Sequence, residues 1–161
     1  MTLIKRDGVI EDPWTFVADG APLPKESPAI VTLERWQTDN NALLAHNERL
    51  GIRLKSDQSP ETIADTLAKF DLVALEFPTF KDGRAYSYAR LLRERYAFPG
   101  ELRAVGNVLR DQLFFMLRCG FDTFELPDHA AVEEWLKAFR EISVVYQPTA
   151  DGRRPISTMR R

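Results

Sequence analysis

One cysteine, Cys119, and two histidines, His46 and His129, are all the thiol and imidazole groups in 161 residues. A single cysteine rules out an internal disulfide. It equally rules out a four-thiolate iron–sulfur cluster held by this chain alone. Neither histidine has a partner at ligand spacing, so no metal site is expected and both read as surface residues. G-x-G-x-x-G, P-loop and C-x-x-C motifs are absent, so no cofactor is encoded by a recognisable motif. No local motif supports a Ser–His–Asp arrangement. No apolar run approaches the roughly 20 residues of a membrane span, and Met1-Thr2-Leu3-Ile4-Lys5-Arg6-Asp7 does not read as a signal peptide. The expectation is a soluble cytoplasmic protein with no membrane partner. The net charge is −2 and no basic stripe is interleaved with aromatics, which argues against nucleic acid.

The composition is that of a globular protein, with 44% hydrophobic and 29% charged residues. The length fits one domain. Residues 1–28 read as an arm. Two short apolar runs, Leu3-Ile4 and Val9-Ile10, flank Asp7-Gly8, a strong hairpin signal. Pro22, Pro24 and Pro28 then break regular structure. From residue 29 to 147, β-rich runs alternate with helical stretches. Strands are predicted over Ala29–Leu33, Gly51–Lys55, Leu72–Phe77, Leu102–Gly106, Asp122–Leu126 and Ser143–Gln147. Helices are predicted after Ser59-Pro60-Glu61, over Ala85–Tyr96, over Leu109–Met116 and over Val132–Phe139 with Asp128 as cap. A weaker helical pattern covers Asp39–His46. Such alternation predicts βαβ units: a parallel sheet of five to six strands, either open or a partial barrel, with an N-terminal hairpin. The polar stretch 148–161 is expected to be a mobile tail.

In parallel α/β folds ligands sit beyond the carboxyl ends of the strands. The segment after Leu72-Val73-Ala74-Leu75 carries Glu76, Lys81, Asp82, Arg84 and Tyr86. Lys81 and Arg84 are of the right type to hold an oxyanion. The alternative is that Asp82 caps the next helix and the charges are solvated. The segment after Leu102-Arg103-Ala104-Val105 carries Asn107, Arg110 and Asp111. Asn107 is read as the helix N-cap. Arg103 stands inside an apolar strand, where an unpaired charge is costly, so it must reach a ligand or pair with Glu76 or Glu125. The expectation is that Arg84, Arg103 and Arg110 converge on one anion site, with Lys81 at its rim and Glu76 or Asp111 orienting the guanidinium groups. Cys119 reads as a small core residue, and Tyr86, Tyr88 and Tyr96 as packing.

The run Glu76-Phe77-Pro78-Thr79-Phe80-Lys81-Asp82-Gly83-Arg84-Ala85-Tyr86-Ser87-Tyr88-Ala89-Arg90-Leu91-Leu92-Arg93, followed by Gly100-Glu101-Leu102-Arg103-Ala104-Val105-Gly106-Asn107-Val108-Leu109-Arg110-Asp111-Gln112 and Arg118-Cys119-Gly120-Phe121-Asp122, resembles the bacterial family called domain of unknown function 934. The similarity extends from Asp12-Pro13-Trp14 to about Tyr146. The resemblance implies a link to assimilatory sulfite reduction. Members are typically encoded beside sulfite reductase and are described as oxidoreductases on that ground. An independent sulfite-reducing enzyme would need sirohaem and an iron–sulfur cluster, and one cysteine cannot hold the latter.

Three readings follow. The favoured one is an accessory subunit that supports sulfite reductase or its electron donor. The second is an enzyme or carrier that binds a small oxyanion through arginines at the strand ends. The third is an assembly module without a ligand.

Overall fold

The computed structural model describes residues 1–79, 81–128 and 130–140. The strand predicted over Ser143–Gln147, the tail 148–161 and His129 lie outside the described residues. The strands are β1 (Thr2–Lys5), β2 (Gly8–Ile10), β3 (Thr15–Phe16), β4 (Ala29–Thr32), β5 (Leu50–Leu54), β6 (Leu72–Phe77), β7 (Glu101–Gly106) and β8 (Thr123–Leu126). They form one sheet in the order β2-β1-β8-β7-β6-β5-β4-β3. The expected purely parallel sheet of five to six strands is corrected to a mixed sheet of eight among the described residues. Strands β3 to β8 are mutually parallel. The hairpin expected at Asp7-Gly8 forms, and its first strand pairs antiparallel with β8. Among the described residues, the first 16 therefore supply both edges of the sheet, β2 at one and β3 at the other.

From β3 to β8 the order in space is the order in sequence. Right-handed crossovers between successive neighbours place every connecting helix on the same face. The order never reverses, so the sheet curls as a half-barrel rather than an open doubly wound sheet. Side chains alternate between its two faces. Val31, Ile52, Leu54, Val73, Leu75, Phe77, Leu102, Ala104, Phe124 and Leu126 point to the helices and form the main core. The opposite, inner face holds Ile30, Leu72, Ala74 and Val105 beneath Trp14. It also holds Arg53, Glu76, Glu101, Arg103, Thr123 and Glu125 by the same alternation.

The helices are α1 (Leu33–Leu44), α2 (Arg84–Arg90), α3 (Leu113–Cys119) and α4 (Val132–Ala138). Helix α1 starts directly after β4, six residues before the predicted onset, because Thr32 caps it by accepting from the Arg35 amide at 3.1 Å. The backbone kinks at Asp39, which splits the apolar pattern and hides its first half from a periodicity reading. Residues Pro60–Lys69 form 3₁₀ rather than α turns, although Ser59 caps them as expected. Thr62 and Thr66 donate their hydroxyls to the carbonyls of Ser59 and Ile63, three residues back, which favours the tighter winding. Helix α2 continues as a π turn over Leu91–Arg95. From that turn Arg93 donates to the carbonyls of Phe98, Gly100 and Gly120 and to Asp122, tying the starts of β7 and β8 together. Helix α4 begins after Ala131 rather than Asp128, whose carboxylate instead pairs with the amine of Met1 at 3.1 Å. No helix among the described residues is long and apolar enough to cross a membrane.

Candidate functional site

The carboxyl ends of β5, β6 and β7 form a rim where loops meet. After β6, Arg84 grips Asp82 with its Nε at 3.0 Å and its Nη2 at 2.7 Å, and Nη2 also reaches Ser56 Oγ at 3.1 Å in the loop after β5. Asp82 Oδ1 accepts from the Arg84 amide as well, at 3.2 Å, so it closes the start of α2 from just before the Gly83 cap. The Arg84 guanidinium, then Ser56, hold the Asp82 carboxyl well below the usual carboxylate range. Lys81 is exposed on the same loop. Tyr86 packs edge-on to Phe77 at 5.0 Å and against Phe115 at 4.9 Å, and burial pushes its hydroxyl up to about 12. That placement makes it a packing residue rather than an acid or base at neutral pH.

After β7 the chain turns at Gly106, whose φ of +88° few residues other than glycine adopt. A Cβ there would lie 2.7 Å from the Phe77 carbonyl. Asn107 is not the N-cap expected of it. Its amide donates to that same carbonyl at 2.7 Å, and the next helical turn starts only at Arg110. The bend uses up the residues that would have capped. Arg110 donates to the Glu134 carbonyl of α4 at 2.9 Å and lies 3.7 Å from Asp111.

Arg103 faces the other way. It is 1% exposed on the inner face, where its Nη1 and Nη2 form a fork to Asp12 at 2.7 and 2.9 Å. Its Nε donates to Glu101 at 3.1 Å, and Glu101 also accepts from Thr123 at 2.6 Å. Glu125 stands 4.0 Å away. Arg84 and Arg110 thus belong to the helix side and Arg103 to the inner face. The expected convergence of the three is corrected: period-two alternation in β7 turns Arg103 away from the loops that carry the others. The expected Glu125 contact is present, but Asp12 dominates.

Arg53 was missed, although the signal that flagged Arg103, a charge inside an apolar strand, is equally present in Leu50-Gly51-Ile52-Arg53-Leu54. Its Nε donates to Glu76 at 3.2 Å, and its guanidinium lies over the Phe16 ring at 5.2 Å. It borders two cavities. One, of about 250 Å³, is lined by Phe16, Thr32, Arg53, Lys55 and Glu76. The other, of about 180 Å³, is lined by Arg53, Gly106, Glu125, Pro127 and the chain's first residue. Lys55 pairs with Glu34 at 2.7 Å, which lowers the pKa of Glu34 and raises that of Lys55.

The sequence matches, over residues 51–157, a family described as bacterial protein of unknown function (DUF934). The chain belongs to this family. No curated protein matches it. The DUF934 span begins inside β5 and takes in Arg53, Glu76, Arg84, Arg103, Arg110 and Glu125. Asp12, Trp14 and Phe16, which cover the inner face, precede it. Within the DUF934 region Cys119 is fully buried, and burial pushes its thiol up, the opposite of what a reactive cysteine needs.

Burial also pushes the Glu125 carboxyl up, against the pull of Arg103 and Arg53. A raised folded-state pKa means that protonation favours the fold. The stabilisation is complete below the unfolded value, about 4.3, and is lost as pH rises through the folded value. Glu125→Gln is therefore expected to flatten the stability profile above about pH 4.3 without lowering stability at pH 7. Urea denaturation across that range checks it. A variant with an unchanged slope sinks the assignment.

Proposed function

We propose that this DUF934 protein serves assimilatory sulfite reduction as a non-catalytic accessory subunit that docks on sulfite reductase or its electron donor. The observation that carries the non-catalytic part is internal charge satisfaction. Arg84 is matched by Asp82, Arg103 by Asp12 and Glu101, and Lys55 by Glu34. A catalytic constellation keeps charges poised for substrate, whereas these are already neutralised within the chain. The one thiol is sealed in the core. The sulfite part rests on the resemblance carried by the Glu76–Arg93 run and by Gly100–Gln112.

The test is a tagged full chain recovered from cells grown on sulfate, together with a gene deletion. Sulfite reductase or its donor is expected to co-purify. The deletant is expected to grow poorly on sulfate and normally on cysteine. Normal growth on sulfate as sole sulfur source, in a strain with no second copy, overturns the proposal.

A further inference from the structure

Two arginines stand in one row across the inner face. Arg53 on β5 pairs with Ala74 on β6, which pairs with Arg103 on β7. Their hydrogen bonding is opposite in kind. Arg103 uses Nε and both Nη atoms on carboxylates and is 1% exposed. Arg53 uses only Nε, on Glu76. Its Nη1 and Nη2 make no hydrogen bond to any of the described residues, and its side chain is 28% exposed. One network is closed and the other is open on its forked side.

The open fork is held in place. Phe16 lies against one face of the guanidinium and Glu76 holds its Nε. The stem rises from within a strand, one residue before its end, rather than from a loop. A planar fork fixed in this way presents two parallel N–H donors, the geometry that matches the oxygens of a carboxylate or a sulfur oxyanion. The space is there as well. Cavities of about 250 and 180 Å³ share Arg53 as a wall, against roughly 30 Å³ for a water molecule. Both open at the carboxyl ends of parallel strands, where β/α barrels hold their ligands.

We propose that Arg53 anchors a binding site for a small oxyanion on the inner face of the half-barrel, two oxygens of which accept from Nη1 and Nη2. Glu76 positions the fork and does not touch the ligand. Glu125 lies on the wall of the smaller cavity, where burial pushes its carboxyl up. The site goes beyond the accessory role. Binding and docking are read by different experiments, and either can fail alone.

The test is a titration of the ¹⁵N-labelled full chain, reading the arginine Nε–Hε signals. Sodium acetate, sodium sulfate and sodium chloride are added at matched ionic strength. The Arg53 signal is assigned by its loss in Arg53→Lys, which keeps the charge but removes the fork. A saturable shift of that signal is expected with acetate or sulfate and not with chloride. Saturation by acetate alone marks a carboxylate site, and by sulfate alone a tetrahedral oxyanion site. Backbone amides around Gly106 and Thr32 report binding in the variant, whose affinity is expected to fall at least about tenfold. Identical, non-saturating responses to all three salts overturn the proposal. So does undiminished affinity in Arg53→Lys. If the variant does not fold, the wild-type titration decides alone, read from the backbone amides around Gly106 and Thr32.

Discussion

Arg103→Ala is expected to destabilise the protein by about 3–5 kcal/mol, the range for breaking a buried ion pair by removing one partner. Three carboxylates face this guanidinium: Asp12, Glu101 and Glu125. Without it they repel one another in a partly desolvated space. The loss is not confined to charge. Asp12 belongs to the segment that crosses the inner face from β2 to β3 and carries Trp14 onto Ile30, Leu72, Ala74 and Val105. The Asp12–Arg103 fork spans 91 residues of sequence and pins that segment down. Two measurements check this. Urea denaturation should show the drop in stability. Limited proteolysis should show faster cleavage near Glu11–Trp14, even under conditions where the rest of the sheet stays folded. A loss below about 1 kcal/mol, in the range of exposed pairs, would mean that the network contributes little. Arg103→Met provides the comparison. It keeps most of the volume but not the charge, so a similar loss places the effect in the unpaired carboxylates rather than in a cavity.

Gly100→Ala is expected to cost about 3 kcal/mol, at the upper end of overpacking effects. A Cβ at this position would lie 2.4 Å from Phe98 Cζ and 2.5 Å from the Asp71 carbonyl oxygen. Neither neighbour can retreat cheaply. Phe98 is buried in the core, and the Asp71 oxygen accepts from the Glu101 amide at 2.9 Å, the bond that begins the pairing of β6 with β7. The Gly100 carbonyl is itself held by Arg93 at 2.9 Å. Gly83→Ala is the control. There the nearest contact to an added Cβ is 3.6 Å, in the ordinary van der Waals range, and the expected change is under about 1 kcal/mol. Thermal or urea denaturation of the two variants distinguishes them. Equal stability of the two would show that the start of β7 can shift freely.

Much of the fold can be read without coordinates. The mainly apolar run Leu72–Phe77 coincides with β6, and Asp7-Gly8 signals the hairpin, whose turn residues are Arg6 and Asp7. Cys119 is the core residue its neighbours suggest. Local spacing decides these features, because the period of the side chains and the φ preferences of a turn act over a few residues. Arg103 was also visible as an oddity, since a charge between Leu102 and Ala104 has to be satisfied somewhere. Where it is satisfied is a different kind of fact. Its principal partner, Asp12, is remote in sequence and reaches it only because the strand order brings the N-terminal segment across the inner face. The same holds for the faces themselves. Alternation says that Arg103 opposes Leu102, but sequential right-handed crossovers decide which face the helices cover. Arg84 and Arg103, both near strand ends in sequence, therefore part company in space. Arg53 and Arg103 look alike as charges within apolar strands. Only the tertiary structure closes one with three carboxylates and leaves the other with its fork open, because ion pairing depends on which strands and which crossing segment stand opposite each side chain.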